Sequence, residues 1–173
     1  MDMKVNIAGV EWKNPVTVAS GTFGSGEEFS EFVDLNRLGA VTTKGVANVP
    51  WPGNPTPRVA EVYGGMMNAI GLQNPGIDKF ISDELPNLMS KNTVIIANIA
   101  GSTAEECAEI AAKLDNTDVH MIELNISCPN VRQGGMAFGA TCDGAASVTR
   151  LVRKATDKPL IVKLSPNVAS IAD

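Results

Sequence analysis

Five short apolar segments recur along the chain, and each is followed by a segment with the pattern of a loop or a helix. Each has the length of a β-strand and is rich in Val, Ile, Leu or Ala. Strands of this kind are buried on both faces of a parallel sheet, with helices as the crossovers. The sequence therefore predicts an α/β protein with a parallel sheet. The predicted strands are residues 16–19, 40–43, 94–97, 121–124 and 160–162.

Four segments between these strands have the pattern of helices. Thr103 opens one of them as an N-cap, and acidic residues follow in the first turn. Another begins at Asp143 and ends in Arg153 and Lys154, so its terminal charges complement the helix dipole. The predicted helices are residues 27–35, 77–89 with a bend at Pro86, 103–114 and 143–155.

Two further segments complete the predicted organisation. Residues 4–12 alternate in polarity across Gly9, which predicts a small β-hairpin before the first strand. Residues 45–75 are rich in proline and have no helical pattern, and connections this long are usually functional. A chain of 173 residues of this composition is expected to form a single domain over residues 1–173.

Composition narrows the class of function. The net charge of −5, without a basic run, argues against nucleic acid and against an anionic membrane surface. The chain has no apolar run near the ~18 residues of a membrane span, and no signal peptide is recognisable. Three cysteines without a Cys-x-x-Cys pair argue against a disulfide framework and against a zinc site. We expect a cytoplasmic protein that holds no metal.

Every predicted strand is followed by polar or small residues. In a parallel sheet that closes into a barrel, these residues share the rim where active sites are found. One such residue alone is an ordinary loop residue, but a lysine at a strand end is costly unless it meets a partner. The pattern therefore predicts a site at this rim. Its residues are Ser20 and Gly21, Lys44 and Gly45, Asn98, Asn125, and Lys163.

The side chains at the predicted rim suit an anionic, flat ligand. Lys44 and Lys163 offer positive charge to a phosphate, a carboxylate or a reduced flavin. Amide side chains each provide a donor and an acceptor, which matches a heterocycle with alternating N–H and C=O groups. The amides considered for this role are Asn68, Asn98, Asn125 and Asn130.

The loop after the fourth predicted strand carries a candidate base. Cys128 lies between Asn125 and Asn130, and Pro129 ends strand pairing because it has no backbone donor. We interpret Cys128 as a group for proton transfer. The single histidine, His120, lies five residues before Asn125, roughly 16 Å away along a strand, so we expect it at the opposite, amino-terminal face, which excludes a Cys–His dyad.

Three neighbouring features complete the interpretation of this region. Residues 131–140 contain glycines and apolar residues, which suits either a lid over Cys128 or an ordinary flexible loop. Cys107 lies in a helical pattern and is expected in the core. Cys142 precedes a helix and is expected to be structural.

At these motifs the chain resembles the dihydroorotate dehydrogenases, flavin enzymes of pyrimidine synthesis, and class 1B more than class 1A. The resemblance implies a (β/α)8 barrel with an amino-terminal hairpin. It also implies FMN in this chain, a homodimer, and a partner subunit that carries FAD and an iron–sulfur cluster and passes electrons to NAD. The motifs that carry the resemblance are residues 19–24, 43–45, 68–74, 125–130 and 162–164.

The resemblance also implies residue roles. Cys128 would remove a proton from C5 of dihydroorotate while hydride passes from C6 to FMN, and Lys163 would stabilise the reduced ring. The implied substrate contacts are Lys44, Asn68, Ala69, Ile70, Gly71, Leu72, Asn125 and Asn130. The implied flavin contacts are Ser20, Gly21, Lys44, Gly45, Asn98, Asn125 and Lys163.

A complete barrel of this type takes about 250 residues, so this chain is expected to supply about five of the eight βα units. The remaining phosphate-binding and substrate-binding residues are then expected beyond Asp173. Two alternatives stay open from the sequence. One is a Schiff-base aldolase that uses Lys163, and the other is a truncated, non-catalytic fragment that pairs with another polypeptide.

Overall fold

A computed structural model of the chain describes residues 2–127 and 138–166. The chain begins with an antiparallel hairpin of strands β1 (Val5–Ile7) and β2 (Val10–Trp12). Ala8 and Gly9 form its turn with φ angles of 50° and 88°. The predicted hairpin across Gly9 is confirmed.

The centre of the molecule is a five-stranded parallel sheet. Its strands, in spatial order, are β3 (Thr17–Val18), β4 (Ala40–Thr42), β7 (Val94–Ile99), β8 (Met121–Asn125) and β9 (Leu160–Lys163). Each pairs in parallel with the next. All five predicted strands are present, and their spatial order follows their order along the chain.

Within the described residues, three helical segments longer than one turn pack on this sheet. Helix α1 covers residues 77–89 and contains a π-helical section, Phe80–Glu84, between two α-helical sections. This irregularity lies just before Pro86, which has no N–H to donate to the preceding turn. Helix α2 is Ala104–Asp115 and helix α3 is Cys142–Ala155, with Thr103 and Thr141 as their respective N-caps.

Side chains of the sheet alternate between two faces and form two apolar clusters. Trp12 of the hairpin packs on one face with residues of β4, β7 and β8, namely Ala40, Val94, Ile96 and Met121. The other face packs against the helices, through strand residues such as Val41, Ile95 and Leu124. The first face is the interior side of the sheet, and the hairpin covers its amino-terminal end.

The predicted helix at residues 27–35 is wrong. Residues 27–32 form turns with backbone bonds from Ser30 to Glu27 and from Phe32 to Phe29, and a 3₁₀ helix follows at Leu35–Arg37. The apolar side chains of the segment do not form a buried stripe, since Phe32 is 79% exposed. A short helix without such a face has little to stabilise it.

The long connection at residues 45–75 contains a second hairpin that the sequence pattern did not predict. Strands β5 (Val59–Val62) and β6 (Gly65–Asn68) pair antiparallel around a turn at Gly64, where φ is 75°. All residues of both strands are exposed, so burial imposes no alternation on the sequence. Among the described residues, no helix is long and apolar enough to cross a membrane.

Candidate active site

The carboxyl ends of the parallel strands open into a cavity of about 540 Å³. This cavity, the strand-end cavity, is lined by fourteen of the described residues. They are Ser20, Gly21, Thr22, Lys44, Gly45, Val59, Met66, Asn68, Ile70, Leu72, Asn98, Asn125, Ser127 and Lys163. The structure thus brings together residues that follow β3 and β4, residues at the ends of β7, β8 and β9, and residues of the long connection that contains β5 and β6.

Strand pairing explains why the polar side chains meet. In β7 and β8, Asn98 pairs with Glu123, and in β8 and β9, Asn125 pairs with Lys163. Paired residues of neighbouring parallel strands project from the same face, and residues two apart on one strand do so as well. These four side chains therefore share the interior face, at its carboxyl end.

The side chains of Lys44 and Lys163 lie close to two consecutive residues that follow β3, namely Gly21 and Ser20. Lys163 Nζ donates a hydrogen bond of 3.0 Å to Ser20 Oγ, which links the last strand of the sheet to the segment that follows the first. A Cβ built on Gly21 would lie 3.5 Å from Lys44 Nζ. Two ammonium groups at one side of a cavity create a positive potential that favours an anionic ligand.

Asn98 is fully buried and presents an acceptor without a partner. Its Nδ2 donates to Glu123 Oε1 at 2.5 Å, whereas its Oδ1 accepts no hydrogen bond from any residue that the structure describes. A Cβ on Gly45 would lie 2.7 Å from that Oδ1, so the oxygen faces the bare backbone of Gly45. A buried acceptor without a donor costs about 1–3 kcal/mol. A ligand that donates a hydrogen bond here would recover that cost.

Asn125 ends β8, and its side chain stabilises a turn with Ser127. Its Oδ1 accepts hydrogen bonds from Ser127 N at 3.1 Å and from Ser127 Oγ at 2.9 Å. This turn uses the carbonyl oxygen of the amide, so the amide nitrogen is the group that Asn125 offers to the cavity.

The segment 68–72 forms one wall of the strand-end cavity. Asn68, Ile70 and Leu72 line it, whereas Ala69 and Gly71 do not. Both of these lie against Asn54: its Nδ2 donates to Ala69 O, and a Cβ on Gly71 would lie 2.9 Å from it. Gly71 and Leu72 have φ angles of 76° and 54°, so the backbone adopts the left-handed region at both residues.

Two expected site residues, Cys128 and Asn130, lie outside the described residues, as does most of the segment 131–140. Of the other cysteines, Cys107 lies in the core, where burial raises the pKa of its thiol to about 12. Cys142 is exposed, at the first position of α3, so the structure gives it no packing role.

His120 lies at the opposite end of β8 from the strand-end cavity. Its Nδ1 accepts a hydrogen bond from Ile95 N at 3.1 Å, and burial together with the nearby Lys158 lowers its pKa. The expectation that it belongs to the amino-terminal face is confirmed. The described residues contain no group of three or more His, Cys, Asp or Glu side chains that could hold a metal ion.

The sequence interpretation overlooked Glu123. It belongs to the predicted strand at residues 121–124, lies on the same face as Asn125 and contacts Asn98. The signal was available, because Met121, Glu123 and Asn125 recur with the period of two that places residues on one face of a strand. Thr22, Val59, Met66 and Ser127 were also missed; they come from loops and the second hairpin.

A larger cavity of about 720 Å³ adjoins the first and shares Gly21, Lys44 and Ile70 with it. Its remaining lining comes from the chain before residue 85, including Trp51 and Glu84. It receives no side chain from β7, β8 or β9. Asn68, Asn98 and Asn125, the described amides considered for a heterocyclic ligand, line the strand-end cavity and not this one.

Comparison with known proteins identifies the family. The family model described as dihydroorotate dehydrogenase matches residues 2–173. The chain is 60% identical over 171 residues to the dihydroorotate dehydrogenase B (NAD(+)) catalytic subunit of Alkaliphilus metalliredigens, covering 99% of this chain and 57% of that protein. It is 56% identical over 173 residues to the subunit of the same name from Lachnoclostridium phytofermentans, covering 100% and 58%.

A crystal structure of DHODH from Eimeria tenella in complex with ferulenol shares the fold, with a TM-score of 0.75 at 20% identity. The match covers 97% of this chain and 53% of that one, which confirms the expected partial (β/α)8 barrel. The chain spans somewhat more than half the length of the curated relatives it matches. By its sequence and its fold, this chain belongs to the dihydroorotate dehydrogenase family.

Proposed function

We propose that this chain takes part in the oxidation of dihydroorotate to orotate in pyrimidine biosynthesis, with FMN as the bound cofactor. One observation carries the proposal. Two lysines and three amides from distant parts of the chain converge on the strand-end cavity, in a family member 54–60% identical to type B catalytic subunits. The side chains are Lys44, Lys163, Asn68, Asn98 and Asn125.

The residues of the cavity fit a flavin. The oxidised isoalloxazine ring has one N–H donor and two carbonyl acceptors, and Asn98 Oδ1 is a buried acceptor with no donor among the described residues. Gly21 and Gly45 leave bare backbone at the wall, where a planar ring can approach closely. The residues proposed to hold FMN are Ser20, Gly21, Lys44, Gly45, Asn98, Asn125 and Lys163.

The same cavity offers groups for the substrate. Dihydroorotate carries a carboxylate, two ring N–H groups and two carbonyls, so it needs a cation and several amides. Lys44 supplies the cation, and the segment 68–72 together with Asn125 supplies amide and backbone groups. Asn130 is proposed from the sequence motif alone, since it lies outside the described residues.

In the proposed reaction, Cys128 takes the proton from C5 and the hydride leaves C6, so that a double bond forms between the two carbons. FMN, when bound, supplies the hydride acceptor. Lys163 places positive charge beside the site, held by its hydrogen bond to Ser20. His120 takes no part, because it lies at the amino-terminal end of β8.

The names of the relatives support a proposal about partners. They are catalytic subunits of an NAD(+)-dependent type B enzyme, which implies a second subunit. We therefore propose that the chain works with an electron-transfer subunit; the homodimer, and FAD and an iron–sulfur cluster on that subunit, are proposed from the motif resemblance alone. A cytoplasmic location belongs to the same proposal.

The experiment is anaerobic reduction of the purified FMN-containing protein by dihydroorotate, followed by flavin absorbance. Cys128→Ser should keep its FMN and reduce it at least 100-fold more slowly at neutral pH, because a hydroxyl is far harder to deprotonate than a thiol. Cys142→Ser, which changes an exposed thiol at the start of α3, is the matched control and should reduce normally.

Two outcomes would count against the proposal. A wild-type protein that binds no flavin would remove the cofactor and the reaction together. A Cys128→Ser variant that reduces its flavin as fast as the Cys142→Ser control would leave the cofactor in place but remove Cys128 from the mechanism.

A further inference from the structure

Glu123 is a charged side chain on the interior face of the sheet, between residues that are otherwise apolar or amide. It pairs with Asn98 of β7 on one side and with Ile161 of β9 on the other. Its neighbours along the strand, Ile122 and Leu124, are fully buried on the opposite face. Glu123 is half-buried, and taking a carboxylate even partly out of water is costly unless hydrogen bonds replace the water. This position therefore needs a reason beyond packing.

Glu123 contacts one end of the Asn98 side-chain amide. Its Oε1 accepts a 2.5 Å hydrogen bond from Asn98 Nδ2. An ionised carboxylate can only accept hydrogen bonds, so the amide edge that faces it must be the NH₂ group. The carbonyl oxygen of Asn98 then necessarily points the other way, toward Gly45 and the wall of the strand-end cavity.

The backbone of Asn98 is held independently of Glu123. Its N–H donates to Thr43 Oγ1 at 3.2 Å, and its carbonyl accepts from Val46 N at 3.0 Å. These bonds set the position of the residue but not which of the two amide ends faces the cavity. The two ends have almost the same shape, so packing alone discriminates poorly between them.

We propose that Glu123 is a positioning residue that fixes the Asn98 amide with its oxygen toward the cavity, so that the site selects a ligand that donates an N–H there. This inference rests on the proposed function, in which that ligand is FMN. The effect of Glu123 on the ligand is indirect and passes entirely through Asn98.

The experiment measures the dissociation constant of FMN by flavin fluorescence on the full-length protein stripped of its cofactor. Glu123→Gln keeps the shape of the side chain but can face Asn98 with either amide end, so it no longer dictates the orientation. We expect FMN to bind about tenfold more weakly, the effect of one lost hydrogen bond in a closed site.

The chain offers a matched control. Asn48 Nδ2 donates to Glu109 Oε2 at 2.9 Å, the same pair of residue types at an exposed place outside the strand-end cavity. Glu109→Gln should leave the dissociation constant unchanged. If Glu123→Gln fails to fold, Glu123→Met is the second variant, because it removes the acceptor and suits the apolar neighbours Met121 and Ile161. It should weaken FMN binding in the same way.

A double-mutant cycle separates positioning from a general structural effect. In an Asn98→Ala background, Glu123→Gln should weaken FMN binding no further, because the amide it orients is gone. An equal loss in both backgrounds would overturn the inference, as would a Glu123→Gln variant that binds FMN as tightly as wild type. A wild-type protein that binds no FMN would overturn the proposed function and this inference with it.

Discussion

Gly45 lies where the chain leaves β4, and its missing side chain is what leaves room for the Asn98 amide. A Cβ at this position would lie 2.7 Å from Asn98 Oδ1 and 3.1 Å from Leu72 Cδ1. The Leu72 side chain can shift, but Asn98 is held by its backbone bonds and by Glu123. The glycine is therefore required by close packing.

We expect Gly45→Ala to lower the free energy of unfolding by about 1–3 kcal/mol, the usual cost of overpacking a rigid interior. Gly65→Ala is the control, because the nearest atom to its Cβ would be Val62 Cγ2 at an ordinary 3.9 Å. It should change stability by less than about 0.5 kcal/mol. Urea unfolding of both variants checks this, and equal midpoints would contradict the packing argument.

At this scale, the sequence indicated which polar residues lie at the carboxyl ends of the strands, but not how they contact one another. Lys44, Asn98, Asn125 and Lys163 could be recognised because each follows or ends an apolar run. The bond between Asn98 and Glu123 could not, because it depends on the register of β7 against β8. Register is a property of the paired strands and is absent from either strand alone.

Among the elements, helix α2 shows how local sequence specifies a helix start. Thr103 accepts a 3.1 Å hydrogen bond from Glu106 N, which satisfies one of the free donors of the first turn. Glu105 and Glu106 add negative charge at the positive end of the helix dipole. These interactions span only a few residues, which is why the start of α2 could be predicted.

Thr103→Ala should destabilise the protein by about 1 kcal/mol through loss of this cap, while Thr103→Ser keeps the hydroxyl and should retain most of the stability. Thr103 is exposed, so loss of buried area contributes little. Chemical unfolding followed by far-ultraviolet circular dichroism compares the two variants. If serine were as damaging as alanine, the cap would not be the cause.

The incorrect helix at residues 27–35 has the opposite explanation. Its apolar spacing suits a helix, but Phe29 and Phe32 remain 37% and 79% exposed, and Phe29 stacks on Phe23 with ring centroids 4.7 Å apart. Whether such a segment forms a helix depends on an apolar surface to receive it. That surface belongs to distant parts of the chain, so the local pattern was misleading.

For the molecule as a whole, His120 makes the free energy of unfolding depend on pH. Burial, and secondarily the charge of Lys158, lowers its pKa below the ordinary 6.5, and the neutral ring accepts the bond from Ile95 N. As the pH falls through 6.5, the unfolded chain binds the proton first, which favours unfolding. His120 therefore stabilises the fold above that pH, and this contribution declines as the pH falls toward the lower pKa of the folded state.

We expect the free energy of unfolding to fall between pH 7.5 and pH 5.5, and to fall less in His120→Gln, because a glutamine can accept the same bond without titrating. His120 is the single histidine of the sequence, and carboxylates titrate mostly at lower pH, around 4. Equilibrium unfolding at the two pH values tests this. An identical pH dependence in both proteins would show that His120 is not the sensor.

Local patterns along the chain were sufficient for the parallel strands, helices α2 and α3 and the rim of polar residues. Burial of a strand on both faces produces an apolar run, and helix ends need caps, so both leave marks within a few residues. The curvature of the sheet, which brings its last strand close to the segment after its first, leaves no such signal in the local sequence. It joins Lys163 to Ser20 across 143 positions and sets Glu123 against Asn98, because contacts between distant segments depend on how whole strands pair and twist.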